Sequence, residues 1–246
     1  MCILLVAKNT LHDFPLIVVA NRDEHHNRRT ESLTYWGNGL LGGRDLEGGG
    51  TWLGISNSGK IAALTNFPST KASLQKPISR GLIVRDFLIQ NVEAEEYISS
   101  LENRDDEFSG YNLLLGRIDD LYIYSNVVSK NQVLDDGIHV MTNTFFDEKW
   151  PKGRRLIDMF KAISSNDSSE LITKCFNILG PKNSSLSLHY SYKNSIFITG
   201  NSYGTRSSSV ILFHSNGNIE FHEKSFNKYQ RVTGKKKIIL KNGKVI

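Results

Sequence analysis

The sequence predicts an α+β protein in which mainly antiparallel sheets are covered by helices. Apolar runs of strand length come in pairs joined by short polar turns, the pattern of hairpins. Strand and helix patterns also come in blocks rather than in regular β–α alternation, which argues against a doubly wound parallel sheet. A length of 246 residues at 39% hydrophobic content is enough to bury a substantial core. With no repeat or linker along the chain, we expect one domain over residues 1–246.

Met1 and Cys2 precede Ile3-Leu4-Leu5-Val6-Ala7, a run too short for a membrane span or secretory core and suited to a buried strand. A turn at residues 8–10 and a second run over residues 15–20 complete an antiparallel pair. That strand runs into Asn21-Arg22-Asp23-Glu24; if extended geometry persists, Asn21 and Asp23 share one face, with Arg22 and Glu24 on the other. Residues 37–54 are glycine-rich, which lets the backbone turn tightly and approach a ligand, with Arg44 and Asp45 at a pocket rim. A hairpin follows, residues 53–56 and 61–66 about Asn57-Ser58-Gly59-Lys60. Ser79 is placed to cap a helix carrying Leu82, Ile83, Phe87 and Leu88, and residues 93–101 read as a second helix. Strands are expected at 111–116, 121–124 and 137–142, the last leading to Asn143. A helix over 147–163 is entered through Trp150-Pro151, and a shorter one over 168–178 holds Cys175 as a core residue. The last third reads as strand-rich, from residues 196–198 through a hairpin of 210–213 with 219–223 to a basic hairpin turned by Asn242-Gly243.

Several function classes are disfavoured. The glycine run lacks the dinucleotide spacing and the Gly-Lys-Ser/Thr of a phosphate loop. The seven histidines show no ligand spacing, so no metal site is expected. A net charge of +5 is spread along the chain with no nucleic-acid motif behind it, so no nucleic-acid partner is expected. Only two cysteines occur, which gives no disulfide framework and fits a reducing, cytoplasmic compartment; no integral membrane segment is expected.

The chemistry concentrates at Cys2. Removal of Met1 would place a thiol nucleophile and a free α-amine on one residue at the tip of a core strand. Such an amine ordinarily titrates at about 7.7–8.0, which suits a base at neutral pH. The hairpin partner delivers Asp23 close to that pair, where a carboxylate would orient the amine, and Arg22 could bind a substrate carboxylate through its fork. Asn66, at a strand end, either completes a turn or presents its amide to a developing oxyanion.

Asn21-Arg22-Asp23-Glu24 resembles the signature of the NRDE family, also called the transport and Golgi organisation 2 family. Met1-Cys2, Gly43-Arg44-Asp45-Leu46, Gly49-Gly50-Thr51-Trp52-Leu53-Gly54, Ala62-Ala63-Leu64-Thr65-Asn66, Ser79-Arg80-Gly81-Leu82, Trp150-Pro151-Lys152 and Tyr203-Gly204-Thr205-Arg206-Ser207 look like it too, in order; Thr142-Asn143 departs from its usual Ser-Asn. The chain is more distantly similar to choloylglycine hydrolases and penicillin V acylases. That resemblance implies a four-layer αββα fold of the N-terminal nucleophile hydrolases. It further implies Cys2 as nucleophile, Asp23 orienting its amine, Asn21 as a substrate-binding Asn two residues before that Asp, and Asn66 and Asn143 as oxyanion donors. Their Arg three residues before the Asp falls on Ala20 here, with Arg22 nearby.

Two functions follow as expectations. One is hydrolysis or acyl transfer on an acyl-amide small molecule, with no required cofactor. The other, implied by the NRDE family, is carriage of haem, lipid or acyl-CoA without turnover, with Arg22, Arg44 or Arg206 holding the ligand's carboxylates. The sequence leaves oligomeric state open.

Overall fold

Two long strands start the fold, β1 (Ile3–Leu11) and β2 (Phe14–His25), paired antiparallel from Ile3↔Asn21 to Leu11↔Phe14. The computed structural model describes residues 2–68, 76, 78–144, 150–183 and 194–246. Both strands outrun the sequence expectation: the turn sits at His12-Asp13, and Asn21-Arg22-Asp23-Glu24 lies within β2. The remaining strands are β3 (Thr30–Tyr35), β4 (Leu40–Asp45), β5 (Leu53–Ser56), β6 (Ile61–Asn66), β7 (Tyr111–Gly116), β8 (Leu121–Ser125), β9 (Lys130–Val133), β10 (Gly137–Met141), β11 (Tyr203–Phe213), β12 (Ile219–Phe226), β13 (Val232–Lys241) and β14 (Lys244–Val245). They form two antiparallel sheets, ordered β10-β1-β2-β11-β12-β13-β14 and β3-β4-β5-β6-β7-β8-β9.

Side-chain alternation along β1 and β2 sets the layers. Leu4, Val6, Leu16, Val18 and Ala20 face the second sheet and pack with Leu53, Ile55, Leu114 and Ile123. Ile3, Leu5, Ala7, Ile17 and Val19 face outward onto helices α3 (Pro151–Lys161) and α4 (Ser168–Leu179). Helices α1 (Gly81–Ile89) and α2 (Ala94–Glu102) cover the second sheet through Phe87, Leu88, Ile98 and Leu101. The result is a four-layer αββα sandwich. Each fully buried Leu, Ile or Val contributes about 1.5–3 kcal/mol, so these three clusters supply most of the folding drive.

Local chemistry fixes the helix ends. Pro151 occupies the first turn of α3, where its missing N–H leaves nothing unsatisfied. The Asp167 side chain caps α4 by accepting from Glu170 N at 2.7 Å. Ser79 makes no such side-chain cap on α1; its carbonyl accepts from Leu82 N instead. The glycine-rich run lets α1 start very close to it, since a Cβ on Gly50 would lie 2.1 Å from the Gly81 carbonyl carbon. Residues 147–149, the expected start of this helix, lie outside the described residues. Residues 196–198 form no strand, although they are buried; Ile198 instead exchanges two hydrogen bonds with Thr205. The basic C-terminal hairpin forms about Asn242 and Gly243, both at positive φ as a tight two-residue turn requires.

Candidate active site

Cys2 sits just before β1, one step past the Ile3↔Asn21 pair, where β2 presents Arg22 and Asp23. The residue is 9% exposed, with Sγ 4.0 Å from the Asp23 carbonyl oxygen. Asp23 is 4% exposed, and its Oδ1 accepts from the Thr205 hydroxyl at 2.6 Å. The neighbouring strand β11 holds that hydroxyl by a bulge between Thr205 and Ser207. Burial raises the Asp23 carboxyl to about 6, against the opposing pull of Lys152, the Thr205 hydroxyl and Arg22. Burial also pushes the Cys2 thiol up, Asp23 adds to this, and Arg22 opposes it. Cys2 is therefore a thiol at neutral pH, and using it as a nucleophile requires a base.

Cys2, Arg22, Asp23, Arg44, Asn66 and Arg206 all line one cavity of about 740 Å³. The position of Arg22 follows from strand parity. It lies two residues beyond Ala20 on the same face of β2, so it enters the space between the sheets without any twist of the strand. Its Nη2 stands 3.7 Å from Glu24 Oε2 and 3.9 Å from Asp45 Oδ2. Asp45 is in turn gripped by Arg28 at 2.8 Å and by the Glu47 and Gly48 amides. Burial disfavours charge on Asp45, but the Gly48 amide and Arg28 together hold its carboxyl below the usual range.

The other expected site residues divide. Asn21 is fully buried on the helix-facing side of β2 and does not line the cavity. Its amide donates to the Leu179 and Ile196 carbonyls at 3.0 and 2.9 Å and accepts from Ser208 Oγ at 2.6 Å, which ties β2 to α4 and β11. It cannot reach substrate while these bonds hold. Asn66 is exposed in the cavity wall. Asn143 is buried, does not line the cavity, and donates its amide to the Asn66 carbonyl at 2.6 Å. In this conformation Asn143 anchors the strand end that carries Asn66. Its Oδ1 has no hydrogen-bond partner among the described residues. Arg206 braces the turn after β2 by donating from one nitrogen to the His25, His26 and Arg28 carbonyls, 2.8–3.1 Å away. Arg44 lies over the Trp36 ring, 4.8 Å from its centroid, at the cavity rim.

Four residues escaped the sequence assignments. Thr205, which holds Asp23, Arg80 and Lys152 all fall within motifs that carried the family resemblance, so their signal was present without a role. Arg80 lines the cavity at the start of α1 and donates to the Gly110 carbonyl at 2.8 Å. Asn112, a lone amide in the apolar run of β7, is fully buried and donates to Thr65 Oγ1 and to the Thr142 and Thr144 carbonyls. It thereby ties the second sheet to the segment leading from β10. Among the described residues no group of three His, Cys, Asp or Glu side chains could hold a metal ion. None of the helices there is long and apolar enough to cross a membrane.

Two helix-clad antiparallel sheets make this a four-layer αββα fold. Solved structures agree. A cysteine-to-alanine mutant of conjugated bile acid hydrolase from Clostridium perfringens superposes with a TM-score of 0.58 at 13% identity, covering 97% of this chain and 92% of that one. The Caenorhabditis elegans N-acylethanolamine-hydrolyzing acid amidase ortholog gives 0.53 at 13% identity, covering 86% and 92%. The family model of transport and Golgi organisation 2 matches residues 1–228, and the chain belongs to that family. It is 30% identical to the Transport and Golgi organization protein 2 homolog of Bos taurus and 28% identical to that of Homo sapiens, each over 89% of this chain and 88% of the relative.

Proposed function

We propose that this protein is a cysteine N-terminal nucleophile amidohydrolase, or a related acyltransferase, acting on an acyl-amide small molecule. The observation that carries the reading is the placement of the Cys2 thiol against the Asp23 backbone carbonyl, with both residues lining a cavity of about 740 Å³. Both fold neighbours are hydrolases by their own titles. With Met1 removed, the Cys2 amine takes the thiol proton and Asp23 orients the resulting ammonium. The thiolate attacks the amide carbonyl carbon, and the Asn66 amide stabilises the oxyanion. The C–N bond then breaks, the leaving amine takes the proton from the ammonium, and water or another acceptor releases the acyl group from sulfur. Arg22 and Arg44, which both line the cavity, would meet an anionic group on the substrate. The test is a panel of N-acyl amides offered to untagged protein: release of free amine by wild type and not by Cys2→Ala supports the reading, and no release from any member contradicts it.

A second reading is carriage of haem, lipid or acyl-CoA without turnover. It is favoured by the protonated state of Cys2 and by the engagement of the Asn143 amide with the Asn66 carbonyl. His25, which could serve haem, lies outside the cavity wall, edge-on to Tyr203. A saturable absorbance change on haem titration, lost in Arg22→Ala or Cys2→Ala, would favour this carrier.

A further inference from the structure

Lys152 is the buried charge that the proposed chemistry leaves unused. It lies in the first turn of α3, which packs on β10 and β1, and is only 1% exposed. Its Nζ has no hydrogen-bond partner among the described residues. The Trp150 ring, 5.5 Å away, is its one aromatic neighbour there. A cation over a ring recovers only a small part of the hydration that a buried ammonium gives up. A lysine retained on such terms needs another reason to be there. The charges acting on it are those of Asp23 and then Cys2; they favour its ammonium form, while burial pushes that form down. Lys152 does not line the cavity; its helix packs on β1, the strand that Cys2 directly precedes.

We propose that Lys152 is a positioning residue that steadies the site's negative charge, on the Asp23 carboxylate and then on the Cys2 thiolate as it forms. It does so as the cationic counterpart of Arg22 from β2 and Arg80 from the start of α1, the other positive side chains that act on Cys2. The inference rests on Cys2 and Asp23 being the reactive pair, but its test needs no substrate. The rate of Cys2 alkylation by iodoacetamide, read by peptide mass, is followed from pH 8 to 10 in wild type, Lys152→Met and Lys152→Arg. Throughout this range Asp23 is ionised, and Cys175 is too deeply buried to compete. The Met variant keeps the packed stem and removes the charge. It is expected to react about tenfold more slowly at fixed pH, with its profile moved to higher pH. The Arg variant is expected to stay within about threefold of wild type. Lys152→Gln reads the same loss if the Met variant fails to fold. An unchanged profile in the folded neutral variants overturns the proposal. So does a slow, destabilised Met variant whose rate Arg does not restore. Amide turnover with an unchanged profile would sink the Lys152 role alone, whereas a moved profile with no turnover would sink only the hydrolase reading.

Discussion

Cys2 and Cys175 are both buried, yet their surroundings differ in kind. Cys175 lies on α4 among Leu171, Ile172 and Leu179, and burial alone pushes its thiol up to about 12. Cys2 lies where the apolar stretch of β2 gives way to Arg22 and Asp23, so charges act on it as well as burial. Desolvation makes both thiols reluctant to ionise. Only Cys2 has neighbours that could reverse that, together with a cavity through which a substrate could arrive. Burial of a cysteine is therefore no guide to its role; the polarity of the burying wall is.

The largest expected contrast is in turnover. Cys2→Ala should lower amide hydrolysis by about 10⁴-fold or more, whereas Cys175→Ala should leave kcat within about twofold, since packing far from the cavity leaves the reacting groups in place. Comparable losses in both variants would erase the distinction. Next comes the oxyanion wall. Asn66→Ala is expected to slow acylation by about 10²–10³-fold. Asn143→Ala should slow it less, because its amide bonds the Asn66 carbonyl and acts through that strand end. Single-turnover kinetics on the two variants decides it, and the reverse order would make Asn143 the donor.

A third expected effect is in stability. The folded-state carboxyl of Asp23 is raised from 3.8 to about 6, so the native state holds this proton more tightly than the unfolded chain. The stability it contributes is fully present below about pH 3.8 and is lost as pH rises through about 6. Asp23→Asn keeps an acceptor for Thr205 and cannot ionise. Between pH 4 and pH 7 the variant should therefore gain about 2–3 kcal/mol on wild type, as measured by urea unfolding. A constant gap would show that Asp23 does not titrate in this window. The smallest effect is at the inert cysteine. Cys175→Ser buries a hydroxyl in an apolar cluster and should cost about 1–3 kcal/mol with no change in the pH profile of turnover.

The fold was legible because its rules are local. The alternation in β1 and β2, Pro151 before α3 and Asn242-Gly243 in the last hairpin each state their geometry in adjacent residues. The reach of the strands was harder to read, because Lys8 and Asn21 look like turn chemistry until neighbouring strands satisfy their backbone. Of the site, the pairing of Cys2 with Asp23 followed from a hairpin register. Arg22 shares a face of β2 with Ala20, but in the sequence its charge beside two acids reads as an exposed turn. What the sequence did not show was hydrogen bonds to partners far along the chain. Asn21 is claimed by Leu179, Ile196 and Ser208, and Arg206 by carbonyls after β2. Thr205 and Lys152 went unassigned for the same reason: each acts on Asp23 across more than a hundred residues of sequence.

The central claim is that Cys2 becomes the first residue and supplies its own base. The measurement that tests it most directly is the intact mass of untagged protein, with the N-terminal residue read by peptide fragmentation. The account predicts a mass lower by one methionine and cysteine in first place. A fully retained Met1 would contradict it: the amine would then be locked in a peptide bond, and the cavity would be left with a protonated thiol and no base on the nucleophile itself.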